Sequence, residues 1–245
     1  MRALELPAGR FRPQLWPTLV AIVGVALLVT LGTWQLQRLA WKEDLIAHAQ
    51  AGLSAPPAPL PAEPADYAAL NFRRLSVRGR FLHDAAFGYG LTARNGEPGG
   101  RLITPMALVD GRTLLVDRGW LPLALLPPAV PSGLEPQGEI SLAGVARYRG
   151  RHDRSWFQPE DDPAARRWYG WDIGGIAQAV GRPLLPLVLV AEPSAAAADL
   201  PHVEPVSVEY RNNHLGYAVT WYSLAASLIA VYVAFSLRQP EGQAR

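Results

Sequence analysis

Cysteine is absent from the 245-residue chain, and methionine occurs only twice. The absence of cysteine excludes a disulfide framework, thiol redox chemistry and a metal site built from thiolates. Cu(I) prefers thiolate and thioether ligands, so the composition also argues against a copper chaperone.

The chain also has little excess charge and no familiar enzyme motif. Its 23 basic and 21 acidic residues leave a net charge of +2, which is too balanced to indicate a nucleic-acid partner. The sequence contains no phosphate-binding loop, nucleophile elbow or metalloprotease helix. Asp161 and Asp162 are adjacent, so along a strand they would point to opposite faces, and we interpret them as a solvated loop.

Two long apolar runs lie near the two ends of the chain. The first, Leu15 to Leu31, is too long for the core of a signal peptide, and no small-residue cleavage site follows it. The second, Gly216 to Leu237, carries no charge and is close to the roughly 20 residues that span a bilayer as a helix. Arginines lie before the first run and after the second run, which favours cytoplasmic termini. We predict a cytoplasmic N-terminus at 1–14, spans at 15–34 and 214–237, and a cytoplasmic tail at 238–245.

The residues between the spans, 35–213, are predicted to form one β-rich domain outside the cytoplasm. Trp34, Arg38 and Trp41 follow helical spacing, so the first helix is expected to continue beyond the membrane. A proline-rich linker at 55–65 then ends it, because proline disrupts both helices and sheets. The predicted fold is an α+β membrane protein, with two transmembrane helices flanking a β-rich extracytoplasmic domain.

Alternating apolar residues and turn signals locate elements within this domain. Asp110-Gly111 is a strong two-residue hairpin signal, and Asp172 is expected to cap a short helix that ends near Val180. Residues 94–100 are predicted to be a loop. The predicted strands are 72–81, 102–109, 113–116, 139–148, 184–190 and 206–210.

Asp117 and Arg118 follow the predicted hairpin, with Gly119 and Trp120 after them. One interpretation is a buried Asp–Arg ion pair that closes the hairpin, with Gly119 in a turn conformation. The other is that Arg118 faces an anionic partner, because a guanidinium holds a carboxylate through two parallel hydrogen bonds.

His214 stands where the chain is predicted to return into the membrane, beside Asn212 and Asn213. A histidine at a membrane boundary can ligate a metal or carry a proton. The simpler interpretation is an interfacial belt, with Tyr217 and Trp221 at the lipid headgroups and the polar residues in water. Both interpretations fit the sequence.

Three stretches together resemble the SURF1/Shy1 family. They are Gly32-Thr33-Trp34-Gln35 with Arg38 and Lys42, Gly111 to Pro122, and Asn213-His214-Leu215-Gly216-Tyr217-Ala218. The order of the stretches and the two-span layout also fit the family. The resemblance implies an assembly factor for cytochrome c oxidase, the haem-copper terminal oxidase, rather than a catalyst.

The resemblance further implies that the protein binds haem a as cargo and aids its insertion into the catalytic subunit of the oxidase. His214 matches the histidine proposed as the haem ligand, and histidine is a common axial ligand of haem iron. Trp34, Gln35 and Arg38 match motif positions, and Tyr217 and Trp221 are expected to cover the macrocycle. Arg38 or Arg211 is expected to meet a propionate.

The expected partners are therefore the oxidase catalytic subunit, the machinery that makes haem a, and membrane lipid. The expected location is the bacterial inner membrane, with the main domain periplasmic. Two alternatives are a protein-only scaffold for the oxidase subunit and a two-span periplasmic sensor. A sensor needs an inward output domain, and the residues after Arg238 are too few for one.

Small residues at helical spacing form a stripe on each predicted span, and such stripes let helices approach closely in lipid. We predict that these stripes pack against each other or against an oxidase helix. The stripes are Gly24, Leu28 and Gly32 on the first span, and Gly216, Thr220, Ser223 and Ser227 on the second.

The flanking arginines and the even number of spans predict that both termini are cytoplasmic. A reporter fused after Arg245 should be active when it is one that works only in the cytoplasm, and inactive when it is one that works only in the periplasm. Periplasmic activity of the C-terminal fusion would contradict this topology.

Overall fold

A computed structural model describes residues 11, 13–64, 66–150, 158–193, 200–207 and 212–237. The described chain divides into two units, a helical one (Met1–Ile46 with Glu209–Arg245) and a second one (Ala47–Val208). The helices are α1 Leu15–Ser54, α2 Ile173–Val180 and α3 His214–Ser236. The strands are β1 Ala58–Pro59, β2 Arg74–Phe81, β3 Phe87–Arg94, β4 Glu97–Leu108, β5 Thr113–Pro122, β6 Ile140–Tyr148, β7 Arg167–Trp168 and β8 Leu187–Ala191.

The helical unit contains the N-terminal part of α1 and all of α3. Within the described residues these are the two helices long and apolar enough to cross a membrane. α1 has 40 residues and is therefore about 60 Å long, roughly twice the thickness of the hydrocarbon core. The prediction that two apolar helices flank a β-rich domain is confirmed, and both helices are compatible with membrane insertion.

α1 and α3 approach each other closely along one face of α1. A Cβ atom placed on Gly24 would lie 2.7 Å from Leu228 Cδ2, and one placed on Gly32 would lie 2.9 Å from the Tyr222 ring. Ala21 of α1 and Ala218 and Ala225 of α3 are buried. The stripe predicted on the first span therefore does form the helix contact.

The stripe predicted on the second span does not take part in this contact. Gly216, Thr220, Ser223 and Ser227 are all exposed, and no described atom lies within 4 Å of a Cβ placed on Gly216. The buried residues of α3 are instead Ala218, Ala225 and Ser236. Two of these three are alanines, which the predicted stripe does not contain. Packing of the predicted stripe against another protein's helix stays a prediction.

The contrast between Gly32 and Gly216 makes a matched test of the helix contact. Gly32→Val adds an isopropyl group against the Tyr222 ring, so we expect destabilisation of about 1–3 kcal/mol from overpacking. Gly216→Val makes the same chemical change at an open position and should leave stability near that of the unmodified protein. Thermal unfolding of the full chain in detergent compares the two, and equal midpoints would contradict the contact.

The second unit is built on a sheet that closes into a five-stranded ring. The order of the ring is β2-β6-β8-β5-β4, and β4 returns to β2. The closing pairs join Gly79–Phe81 of β2 to Met106–Leu108 of β4. β2 and β4 come so close there that a Cβ on Gly79 would lie 2.3 Å from Ala107 O. Glycine is therefore required at the closure.

Apolar side chains fill the ring and cover its outer face. Alternate β2 residues Leu75, Val77 and Phe81 join the inner core, as the period of two predicts. A second cluster forms around Phe87, Ile103, Leu115, Trp168, Trp171, Ile176 and Val188. Ile176 is the fully buried contribution of α2 to this cluster.

Most of the predicted elements of the domain are confirmed. β2, β6 and β8 lie where alternation or apolar runs predicted strands, and residues 110–111 form the predicted turn between β4 and β5. The predicted cap of α2 is also present. Asp172 accepts a hydrogen bond from Gly175 N at 3.0 Å, and Gly181 ends the helix with a φ of 71°.

Three predictions for this unit were wrong. Residues 94–100 are not a loop, because β3 and β4 form a hairpin around Asn95-Gly96 and extend through most of this segment. β5 does not end at Val116 but continues to Pro122. Residues 206–207 of the predicted last strand are not in a strand, and 208–210 lie outside the described residues.

The proline-rich segment 55–65 also contributes to the sheet. Ala58 and Pro59 pair in parallel with Leu75 and Ser76 of β2, and Leu60 N donates to Ser76 O at 3.2 Å. Proline is tolerated there because β1 lies at the edge, where it needs to pair on one side only.

Candidate functional site

His214 is the first residue of α3, and its imidazole is held by a side chain of α1. Nδ1 of His214 lies 2.7 Å from Oε1 of Gln35, and both residues are half-buried within the helical unit. The two residues are 179 positions apart in sequence. Of the predicted site residues, these two are the pair that a direct side-chain hydrogen bond brings together.

The other predicted site residues lie on the same two helices in different surroundings. Trp221 is half-buried, whereas Tyr217 is 56% exposed and Trp34 is 49% exposed. The Arg38 guanidinium lies over the Trp41 ring at 4.5 Å, a cation–π contact within α1. Arg211 lies outside the described residues.

The polar residues just before α3 are not used in capping it. Asn213 occupies the cap position, yet among the described residues its side chain makes no capping hydrogen bond. Oδ1 of Asn212 is buried, and no described group donates to it. Within the described residues, the side chains of these asparagines are therefore not bound to the first turn of α3.

The described residues around the start of α3 offer a metal the single imidazole of His214 and not a cluster of ligands. Within the described part of the chain, no group of three or more His, Asp and Glu residues is arranged to hold a metal ion. A haem needs far less from a protein, because the macrocycle supplies four nitrogens and the protein supplies only axial ligands. The arrangement fits haem better than a bare metal ion.

Asp117 lies in β5 of the five-stranded ring, which we call the barrel, and its partner is not Arg118. Its carboxylate is buried and forms an ion pair with Arg101 of β4, the neighbouring strand. Its Oδ1 accepts from Gly119 N at 3.1 Å. Burial raises the pKa of the Asp117 carboxyl, while the positive charge of Arg101 and the hydrogen bond from Arg101 oppose that rise.

Arg118 points away from Asp117, so the interpretation that pairs these two residues is wrong. The other interpretation, in which Arg118 faces an anionic partner, stays a prediction. The Arg118 guanidinium donates to Leu134 O and lies 4.9 Å from the centre of the Phe81 ring. No described carboxylate lies within salt-bridge distance of it. Burial lowers the pKa of Arg118 to about 10, against the opposing charge of Glu135.

Gly119 has a positive φ, but it lies within β5, where the pairing with β4 shifts register, so the interpretation that places it in a turn is wrong. Its φ is +116°, and a Cβ atom there would lie 2.5 Å from His202 O. The next residue, Trp120, exchanges two backbone hydrogen bonds of 2.8 Å with His202. The Asp117-to-Trp120 segment is thus an internal junction of the barrel.

Comparison with known proteins adds to this geometry. The SURF1 family profile matches residues 22–226. The chain belongs to the SURF1 family. It is 35% identical over 215 residues to a SURF1-like protein of Monosiga brevicollis, covering 83% of this chain and 81% of that protein. It is 32% identical over 229 residues to the human Surfeit locus protein 1, covering 86% of this chain and 75% of the human protein.

The three stretches that resembled the SURF1 family all lie within the matched residues, and they occupy both units. The first and third place Gln35 and His214 in the helical unit. The Gly111-to-Pro122 stretch lies in the barrel, where it carries Asp117 and Gly119. The stretches that carry the resemblance are therefore divided between the two units.

Sequence reasoning missed Arg101 as the partner of Asp117. The two residues are 16 positions apart on neighbouring strands. Alternation along β4 and a hairpin turn at 110–111 would have indicated a cross-strand neighbour. The predicted loop at 94–100 hid that signal, because it removed the residues before Leu102 from the strand.

The cation of the buried ion pair is Arg101 and not Arg118, so the two arginines should differ in what their removal costs. Arg101→Leu leaves Asp117 buried without its cation, so we expect a loss of roughly 3–5 kcal/mol in the free energy of unfolding. Arg118→Leu removes a hydrogen bond to a neutral carbonyl and should cost about 1–3 kcal/mol. Denaturant unfolding of the full chain in detergent ranks the two, and the reverse order would contradict the assignment.

Proposed function

We propose that this SURF1-family protein is an assembly factor for the haem-copper cytochrome c oxidase. In this proposal it binds haem a through His214 and aids haem insertion into the catalytic subunit of the oxidase. It catalyses no reaction itself. Its location is the bacterial inner membrane, where it crosses twice and holds the barrel in the periplasm.

The observation that carries the proposal is the state of the His214 ring. Nδ1 is engaged by Gln35, while no described group is hydrogen-bonded to Nε2. A neutral imidazole presents a lone pair at one nitrogen, which is the group that haem iron binds. The side chain is half-buried, so bulk water only partly competes for that lone pair.

The position of His214 also suits a cargo with two unlike ends. Haem a has a long isoprenoid tail, which belongs in lipid, and anionic propionates, which belong near water. His214 stands at the first residue of the apolar helix α3, so a ligand there lets each end rest in suitable surroundings. Tyr217 and Trp221 follow one and two turns later, where they can cover a flat macrocycle.

Arg38 is the described cation best suited to a propionate on this proposal. It is exposed and lies one turn beyond Gln35 on α1, so it shares roughly the face of that residue. Its stacking on Trp41 leaves the edge of the guanidinium for hydrogen bonds to a carboxylate. The contribution of Arg211 stays a prediction.

The partners in this proposal are the catalytic subunit of the oxidase and the machinery that makes haem a. Lipid surrounds the apolar helices. The protein supplies an axial nitrogen, an aromatic cover and a cation, and each of these groups can be released without breaking a covalent bond. Such a site suits a carrier that must hand its cargo on.

His214→Asn tests the ligand assignment. Asparagine preserves hydrogen-bonding capacity and is a poor substitute for imidazole on iron, so the variant should fold and insert yet lose most of its bound haem. Any remaining haem should show a shifted Soret band. The measurement is the absorbance spectrum and haem stoichiometry of protein purified from cells that make haem a.

His83→Asn is the matched control. His83 lies in the second unit and bonds Pro136 O at 3.0 Å, so its loss should leave haem content unchanged. If His214→Asn retains the haem content and spectrum of the unmodified protein, His214 is not the ligand. A protein that carries no haem but is recovered together with the oxidase subunit would instead be a protein-only scaffold.

A further inference from the structure

The hydrogen bond between Gln35 and His214 restricts the chemical form of the imidazole. An amide oxygen has no hydrogen and can only accept, so the nitrogen that faces it must carry the proton. Oε1 of Gln35 faces Nδ1 of His214 at 2.7 Å. The neutral ring is therefore held as the Nδ1–H tautomer, with its lone pair on Nε2.

Neighbouring contacts fix the alignment of the two helices that makes this bond possible. The hydroxyl of Thr33, two residues before Gln35, shares a hydrogen bond of 3.0 Å with Tyr222. Gly32 admits the Tyr222 ring. Further along, the hydroxyls of Thr18 and Tyr232 share a hydrogen bond of 2.7 Å. Contacts at two levels thus determine which α1 residue meets His214.

Gln35 also lies on the contact face of α1. It follows Gly32 by three residues and Leu28 by seven, which places all three on one stripe of the helix. The Gln35 side chain is half-buried, and its rotation is therefore restricted by the neighbouring helix. Its amide is presented by a packed helix rather than by a mobile loop, which suits a group that must orient another side chain.

From this geometry we propose that Gln35 is the positioning residue of the haem site. It holds His214 in the Nδ1–H tautomer and aims Nε2 at the iron. This inference rests on the proposed function for the identity of the cargo, whereas the tautomer is a property of the protein alone. Groups that bond the outer nitrogen of a metal-binding histidine typically change metal affinity by about 10–100-fold when they are removed.

The first experiment reads the tautomer without any haem. Protein labelled with ¹⁵N-histidine is purified haem-free in detergent, and the two ring nitrogens of each histidine are distinguished by their shifts and couplings. The His214 signals are identified as those missing from His214→Asn. We expect Nδ1 to be protonated in the unmodified protein, and a mixture of tautomers in Gln35→Leu.

The second experiment measures binding with ferric haemin as the probe. The dissociation constant of Gln35→Leu should rise by about 10–100-fold. Gln35→Glu keeps an oxygen acceptor opposite Nδ1 and should restore both the tautomer and most of the affinity. A merely space-filling role for Gln35 would not separate these two variants in this order.

Thr33→Val is the matched control for the helix contact. It removes the hydroxyl that bonds Tyr222, two residues from Gln35, and keeps a side chain of similar size. The contacts of Gly24 and Gly32 and the Thr18–Tyr232 hydrogen bond remain in this variant and still align the two helices. It should therefore leave the His214 tautomer as it is in the unmodified protein and change haemin affinity far less than Gln35→Leu does. Equal losses in Thr33→Val and Gln35→Leu would overturn the specific role of Gln35.

The outcomes separate this inference from the function on which it rests. An unchanged tautomer in Gln35→Leu overturns the positioning role, whatever haemin does. A changed tautomer with weakened haemin binding supports both the positioning role and the ligand assignment. A changed tautomer with unchanged haemin binding supports the hydrogen bond and overturns the role of Gln35 in haem binding, while His214→Asn decides the ligand assignment separately.

Discussion

The contact between α1 and α3 depends on polar and close-packed groups, because apolar burial stabilises little in lipid. Hydrocarbon chains are as apolar as leucine, so helices in a membrane gain association energy from tight packing and hydrogen bonds instead. Gly24 and Gly32 allow the close approach. The hydroxyl pairs of Thr18 with Tyr232 and of Thr33 with Tyr222 then define the alignment. Together these contacts bring Gln35 and His214 within hydrogen-bonding distance.

The barrel is stabilised by interactions that differ from those between α1 and α3. Apolar clusters cover both faces of its sheet, so a charge that is buried in its wall must be matched. Asp117 is matched by Arg101 on the neighbouring strand and by the backbone of Gly119. The same glycine admits the carbonyl of His202. A short motif thereby joins the end of β5 to the chain that leads back toward α3.

Elements with strong local signals could be predicted from the sequence. The two apolar helices, the alternation of β2 and β6, the Asp172 cap and the turn at 110–111 all depend on neighbours in the chain. The hairpin around Asn95-Gly96 was hidden by Pro98 and the two glycines after it. The two glycines lie where β4 comes close to the backbones of β5 and β3. Closure of the ring by Gly79 depends on residues far away in sequence.

The candidate site was predictable in part for the same reason. His214, Gln35 and the motif around them stood out by resemblance, but nothing local indicated that Gln35 meets the His214 ring. The stripe of threonine and serine on α3 is not the face that meets α1, because α3 uses its alanines there. In the barrel, the partner of Asp117 was sought beside it in sequence instead of across the sheet.

The two-residue strand β1 affects how the sheet of the second unit can meet the strands of other molecules. It covers Leu75 and Ser76 at a side of β2 that β4 reaches only at Gly79–Phe81. Without it, that backbone would be an open template on which the strand of another molecule could grow. Pro59 has no amide hydrogen, so the covering strand is itself a poor template. The proline-rich segment after α1 thus closes a side of β2 to edge-to-edge pairing with a second strand.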